Sequence, residues 1–227
     1  MSDIESYRAL GYNQPIFAGI DWGTGENSYT VLTLATYIDM KFRVFFWHRF
    51  VGEEIDPDVQ LARIIELIEY FNVKIIGSDY GGGYDRNHHL VRKFGPKRVY
   101  SFQYMARTHK RIWWDTNMIP PRFKAARTEV MSDIFNAIKR NQCEFPRQEE
   151  FTDPYAMDMT NIYSEYNETL RSIQYKHSQD KPDDSFHSLV YCWLVSMMII
   201  PRRDIIAPTL EIDGKSVGEY SGPIDQG

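Results

Sequence analysis

The sequence predicts an α/β domain built on a mixed sheet, and three observations carry that expectation. Three extended segments rich in apolar, aromatic or β-branched residues come first, at Ile16 to Asp21, Ser28 to Tyr37 and Lys41 to Val51. Helical and extended periodicities then alternate from Asp56 onward. A strongly apolar helix opens late, at Asp183 or Asp184. A strand, helix, strand order of this length implies a parallel pair joined by a right-handed crossover.

Taken in order, a tight turn at Asp39-Met40 joins the second and third strands as a hairpin. Asp56 caps a helix with Pro57 at its first position, and Leu61, Ile64, Ile65, Ile68 and Phe71 recur at helical spacing. Val73 to Tyr80 is a strand that ends at Gly81-Gly82-Gly83. A helix over Arg86 to Lys93, a strand over Arg98 to Phe102 and a loop rich in aromatic and basic residues follow, then a helix over Lys124 to Arg140. Asp153-Pro154 reads as a helix start and Thr169 to Tyr175 as a short strand. The last helix runs through Phe186, Val190, Trp193 and Met197, and Pro201 to Gly227 has the Gly, Pro and Asp content of an extended tail.

The chain has 227 residues, 43% hydrophobic and 25% charged, which excludes a wholly disordered, collagen-like or coiled-coil protein. Its longest apolar run, Leu189 to Ile200, is shorter than the ~20 residues of a bilayer span. Met1 to Pro15 is polar and lacks the apolar stretch of a secretory signal. Cys143 and Cys192 alone make neither a disulfide framework nor a Cys-based zinc spacing. Net charge is −5, but Arg92 to Arg147 holds 13 Lys+Arg against Asp115, Glu129, Asp133 and Glu144, a balance that suits a polyanion on one face or a solvated surface.

Carboxylates stand where elements end. Asp21 closes the first strand, Asp79 closes the fourth, and Asp183-Asp184 opens the last helix. Side chains at the C-terminal ends of neighbouring strands face the crevice where α/β sheets bind ligands. Gathered carboxylates repel unless a hard cation neutralises them, and Mg²⁺ or Mn²⁺ prefers oxygen ligands, so the pattern proposes a site for one or two such ions. Taken singly, each Asp is a turn residue or helix cap. Helical phase puts Asp183 on the face that packs on the sheet and Asp184 on the face of His187, which makes Asp183 the first choice as ligand, with Asp184 a second ligand or an orienting partner of His187. His187 is a ligand, a proton carrier or a hydrogen-bonded helix residue. Glycines beside Asp21 and Asp79 are expected to leave room for a substrate backbone.

These residues carry a resemblance. Gly19-Ile20-Asp21-Trp22-Gly23, Gly77-Ser78-Asp79-Tyr80-Gly81-Gly82-Gly83, Arg127-Thr128-Glu129 leading to Glu144-Phe145-Pro146-Arg147, and Asp183-Asp184-Ser185-Phe186-His187-Ser188-Leu189 together resemble the C-terminal nuclease domain of the large terminase subunits of tailed bacteriophages, over about residues 15 to 200. The resemblance implies a ribonuclease-H-like mixed sheet with helices on both faces, and an endonuclease that cuts concatemeric DNA during genome packaging. It implies that Asp21, Asp79 and Asp183 or Asp184 hold Mg²⁺ or Mn²⁺. It also implies double-stranded DNA, an ATPase motor domain of the same full-length protein, the portal and the small terminase subunit as partners, in the cytoplasm of an infected host cell, with no membrane involved.

The phosphate-binding loop of the motor is not found: Gly214-Lys215-Ser216 is preceded by Thr209 where the first Gly is required. The expectation is therefore a nuclease half alone, with Met1 to Pro15 as linker. Arg107, Lys110, Arg111, Lys124 and Arg127 are the candidate DNA contacts, interleaved with Tyr104, Trp113 and Trp114, which either stack on nucleic acid or anchor a loop. A junction resolvase or transposase of the same fold is an alternative. Ile20 to Gly25 also resembles the phosphate loop of sugar kinases and actin, and a catalytically silent DNA-binding module would use the acids only as caps. Metal-dependent cleavage of plasmid DNA separates these readings.

Overall fold

In a computed structural model, the described residues are 3–198, except 26, 107–109, 118–120, 147–153, 170 and 179, together with 211–212 and 215–216. Strands β1 (Ile16–Asp21), β2 (Val31–Ile38) and β3 (Lys41–Arg49) form an antiparallel meander. Asp39 and Met40 both take positive φ, 51° and 62°, the twist a two-residue hairpin needs to keep its strands paired. Helix α2 (Pro57–Tyr70) starts at Asp56, whose side chain accepts from the backbone N–H of Asp58 and Val59, and it delivers the chain to β4 (Val73–Asp79), parallel to β1. Helix α3 (Tyr84–Phe94) then leads to β5 (Val99–Met105), parallel to β4.

The segment after β5 departs from expectation. The aromatic and basic stretch is not all loop: Ile112–Asp115 is strand β6, antiparallel to β7 (Arg122–Ala126), and only Arg127–Lys139 is helix, α4. Phe123 and Ala125 alternate into the core at full burial while β7 pairs in parallel with β5, so the first residues of the expected helix serve the sheet. Trp114 packs on Phe123 with ring centroids 4.7 Å apart, which is the anchoring role. Beyond it lie β8 (Cys143–Glu144), α5 (Tyr155–Thr160), a separate hairpin of β9 (Tyr163–Asn167) and β10 (Ser172–Lys176), and α6 (Asp184–Ser196). Two-residue strands β11 (Glu211–Ile212) and β12 (Lys215–Ser216) extend the sheet, giving the order β12-β11-β6-β7-β5-β4-β1-β2-β3-β8. The N-terminal stretch read as linker carries helix α1 (Asp3–Leu10), with Tyr7 stacked on Phe45 at 4.3 Å.

Strand alternation divides the core. Ile16, Ala18 and Ile20 of β1 face Ile64 and Ile68 of α2 and Leu90 of α3, whereas Phe17 faces the opposite layer, where α4 and α6 lie. The fold is thus a mixed sheet with helices on both faces. Among the described residues no helix is long and apolar enough to cross a membrane.

Candidate metal centre

Two glycines determine where the last helix lies. Gly19 of β1 and Gly77 of β4 are register partners on adjacent parallel strands. A Cβ on Gly19 would stand 1.9 Å from the Ser188 carbonyl oxygen, and one on Gly77 would stand 2.5 Å from that of Tyr191. The backbone of α6 therefore rests directly on the sheet over β1 and β4, possible only because neither strand has a side chain there. That seating carries the N-terminus of α6 to the end of the sheet where β1 finishes at Asp21 and β4 at Asp79.

Asp183 precedes α6 at its N-cap position, yet its side chain makes no capping bond. The capping role falls instead to Asp158 of α5, which accepts the Ser185 backbone N–H at 3.0 Å and is buried in an ion pair with Arg49. Asp183 is left to face the cleft, where its Oδ2 lies 3.0 Å from His187 Nε2, 3.6 Å from Arg127 and 3.7 Å from His177. His187 thus belongs to Asp183, one helical turn away, and not to Asp184 as the phase argument allowed; the i,i+4 spacing brings the two side chains together. Asp184 turns to the β1–β2 loop and accepts from the Ser28 hydroxyl at 2.8 Å and the Tyr29 backbone N–H at 3.1 Å. Asp79 accepts from the Gly82 N–H at 2.6 Å and the Tyr191 hydroxyl at 3.3 Å.

All four carboxylates line one cleft of about 530 Å³, together with Tyr104, Arg127, His177, His187 and Tyr191. Burial raises the Asp21 carboxyl well above the ordinary range, and the charges of Asp184, Asp79 and Asp183 raise it further against a weaker pull from Arg127. Asp184 is also raised, by burial, although its bonds from Tyr29 and Ser28 oppose the shift. Burial acts upward on Asp183 too, but the His187 hydrogen bond and the charges of His187, His177 and Arg127 outweigh it and hold that carboxyl low. A set of oxygen donors in which three carboxylates add to the raised proton affinity of Asp21 suits a hard divalent cation. Among the described residues, no three His, Cys, Asp or Glu side chains are already gathered as a metal-binding group.

Two of the glycines pack the loops together. A Cβ on Gly82 would meet Thr24 Cγ2 at 2.5 Å, and one on Gly83 would meet the Trp22 ring at 1.9 Å, so these glycines let the two acid-bearing loops pack on each other, while one on Gly25 would meet nothing within 4 Å. The Trp22 indole N–H donates to Asn87 Oδ1 at 2.9 Å, and the Asn87 amide donates to the Asp79 carbonyl at 2.7 Å. Arg86 lies over the Trp22 ring at 4.5 Å and donates to the Gly82 carbonyl at 2.7 Å.

Of the candidate DNA contacts, Arg127 opens α4 and lines the cleft. Arg111 pairs with Asp133 at 2.9 Å and Lys124 with Asp115 at 2.7 Å. Lys110 is exposed just ahead of β6; Arg107, like Arg147, lies outside the described residues. Sequence reasoning missed Tyr191 and gave Tyr104 only a stacking or anchoring role. Tyr191 lies one stripe along from Asp184 and His187, and Tyr104 shares the alternating face of Phe102 once β5 extends to Met105, so both had a periodic signal.

No family model matches the chain, and no curated protein is significantly similar to it. Solved structures are similar. The large terminase nuclease domain of bacteriophage SPP1, with bound manganese, superposes with a TM-score of 0.51 at 14% identity, covering 87% of this chain and 93% of that one. The large terminase nuclease of thermophilic phage G20c, with bound cobalt, gives 0.53 at 12% identity, covering 80% and 81%. This is the fold of the large terminase nuclease domains. The large terminase of a second thermophilic bacteriophage matches with a TM-score of 0.50 at 11% identity over 78% of this chain, and the match spans 38% of that longer protein.

Proposed function

We propose that the protein is a divalent-metal-dependent endodeoxyribonuclease that cuts concatemeric viral DNA with little sequence preference during genome packaging. The observation that carries this reading is the convergence of Asp21, Asp79, Asp183 and Asp184 on one cleft at the end of a sheet with the terminase nuclease fold. Asp21, Asp79 and Asp183 or Asp184 would hold one or two Mg²⁺ or Mn²⁺ ions. Such an ion supplies activation of water and stabilisation of the leaving 3′ oxygen. The chain's own residues do the rest. Arg127 adds a cation to the cleft beside Asp183, where it can meet a phosphate oxygen, and Asp183 keeps His187 oriented beside it. Hydrolysis breaks the P–O3′ bond and leaves a 5′-phosphate and a 3′-hydroxyl.

The manganese and cobalt in the similar nucleases support the choice of cation. Partial coverage of the longer large terminase supports an ATPase motor domain in the same polypeptide, which would deliver the DNA. Portal and small terminase subunit complete the packaging assembly in the infected cell's cytoplasm. Incubating the protein with supercoiled plasmid and Mg²⁺ or Mn²⁺, beside an Asp21→Asn variant, tests the reading. Nicking and linearisation by the parent alone is the expected result, and equal cutting by the variant would overturn it.

A further inference from the structure

Asp79 and Asp183 sit on different elements, yet a row of aromatic side chains joins them across the floor of the cleft. The Tyr191 hydroxyl donates to Asp79 Oδ1 at 3.3 Å. Tyr191 is stacked on Tyr104, with ring centroids 5.4 Å apart and planes 27° from parallel. The Tyr104 hydroxyl lies 3.0 Å from His187 Nδ1, and His187 Nε2 lies 3.0 Å from Asp183 Oδ2. The His187 ring lies between Tyr104 and Asp183, with one nitrogen turned to each. The two phenols thus address opposite carboxylates: Tyr191 bonds to one directly, and Tyr104 reaches the other through His187.

The row is rigid for reasons outside the cleft. Tyr191 is 1% exposed, stacks on Phe102 of β5 at 5.9 Å, and belongs to the turn of α6 pressed onto Gly77. Tyr104 stands on β5 itself, beside the strand that ends in Asp79. Each phenol is therefore fixed by sheet packing while its hydroxyl reaches the acid machinery, which is the arrangement by which outer partners orient metal ligands.

Resting on the nuclease reading above, we propose that Tyr191 and Tyr104 are positioning residues that hold Asp79 and Asp183 at the separation a divalent cation requires, without touching the cation. Tyr191 acts on Asp79, and Tyr104 acts on Asp183 by fixing the His187 ring. Loss of either hydroxyl leaves the aromatic packing intact but frees a ligand to turn, and loss of such a partner costs a metal site about 10- to 100-fold in affinity.

The test uses Mn²⁺ as probe, with binding to the whole chain read from the free-ion electron paramagnetic resonance signal. The variants are Tyr191→Phe, Tyr104→Phe and, as control, Tyr37→Phe, which removes another buried phenol oxygen contacting α6, at Ser196, well away from the cleft. Melting temperature without metal is measured for each. The expected result is Mn²⁺ affinity weakened about tenfold or more in Tyr191→Phe, less in Tyr104→Phe and not at all in Tyr37→Phe. Unchanged affinity in both cleft variants, with normal binding by the parent, overturns the proposal and leaves the nuclease reading standing. Equal weakening in all three variants overturns it too, since the effect would then be general to α6. Parent protein that binds Mn²⁺ but cuts no DNA ends the nuclease reading alone, and parent protein that binds no Mn²⁺ ends both.

Discussion

The acid cleft and the β6–β7 strand pair are built on opposite electrostatic plans. In the cleft, four carboxylates from β1, β4 and the start of α6 share one space, and Arg127 is the cation that acts on Asp21 against three of them. In and beside the strand pair, bases have their own acid or acceptor: Lys124 with Asp115, Arg111 with Asp133, and Arg122 with Gln103 at 2.7 Å beneath the Tyr80 ring. A count of charges along the chain marks the second region as the notable one. Spatial pairing reverses the judgement, because these bases are neutralised locally while, of the four cleft acids, Asp183 is the one with ion-pair partners among the described residues.

The largest expected effect breaks the cleft. Asp21→Asn or Asp79→Asn should lower plasmid cleavage by about 10³-fold or more, since metal-assisted charge stabilisation is worth several kcal/mol. Stability should move differently. The folded-state pKa of Asp21 is raised, so its contribution is complete below the ordinary carboxyl range and is lost as pH rises through the raised value. Once ionised, the group is a net cost to the metal-free fold, and Asp21→Asn should melt no lower than the parent. Adding Mn²⁺ should raise the melting temperature of the parent and not of the variant.

A second substitution asks whether the sheet positions the cleft. Gly19→Ala places a methyl against a backbone carbonyl that cannot swing aside, and a cost of about 3 kcal/mol or more is expected in urea unfolding. Gly25, whose Cβ would meet nothing within 4 Å, is the control, and Gly25→Ala should change stability by no more than about 0.5 kcal/mol. A mild effect at Gly19 would mean that α6 can ride higher on the sheet without losing its place.

Helix α4, beside the strand pair, carries a buried charge of its own. Burial raises Asp133 to about 6 despite Arg111, so its stabilising contribution is present below the ordinary carboxyl value and disappears as pH rises through about 6. Asp133→Asn should therefore be more stable than the parent at pH 8, with the gap closing as pH falls to 4. The shift corresponds to at most about 3 kcal/mol, and the retained amide oxygen can still accept from Arg111. Urea unfolding of both proteins across that range would show it, and a constant gap would place Asp133 in a wetter setting than its burial indicates.

The sequence disclosed elements wherever one periodicity ruled. Ile16–Asp21 was legible to its ends, and Asp56 with Pro57 announced α2, because local chemistry decides both. That the four acids meet in one cleft was legible only from their joint placement at element ends, since singly each reads as a turn residue or cap. What escaped depends on distant partners. Ala125 fits a helix equally well until β5 and β6 offer it a sheet, and Gly19 and Gly77 look like ordinary strand residues until α6 is laid across them. Even the choice between Asp183 and Asp184 as partner of His187 turned on Asp158, well upstream in α5, which caps the helix and releases Asp183 from that duty.

The smallest expected effects lie in DNA binding by the paired bases. A Lys or Arg that neutralises a phosphate releases counterions, so its loss should flatten the logarithmic salt dependence by about one unit. Lys124 already spends its charge on a carboxylate that is 6% exposed, and Arg111 on another that is equally buried, so neither can give full charge to DNA without leaving an acid unpaired. Lys124→Ala and Arg111→Ala should each change the slope by well under one unit. Arg127→Ala should change it by close to one, because the Arg127 guanidinium faces the cleft and its ion-pair distance to Asp183 is a loose 3.6 Å. Titration of a fluorescent 30-mer duplex at several salt concentrations, in Ca²⁺ to suppress cutting, ranks the three. A full unit lost at Lys124 would show that DNA displaces Asp115, and the two regions would then form one binding surface.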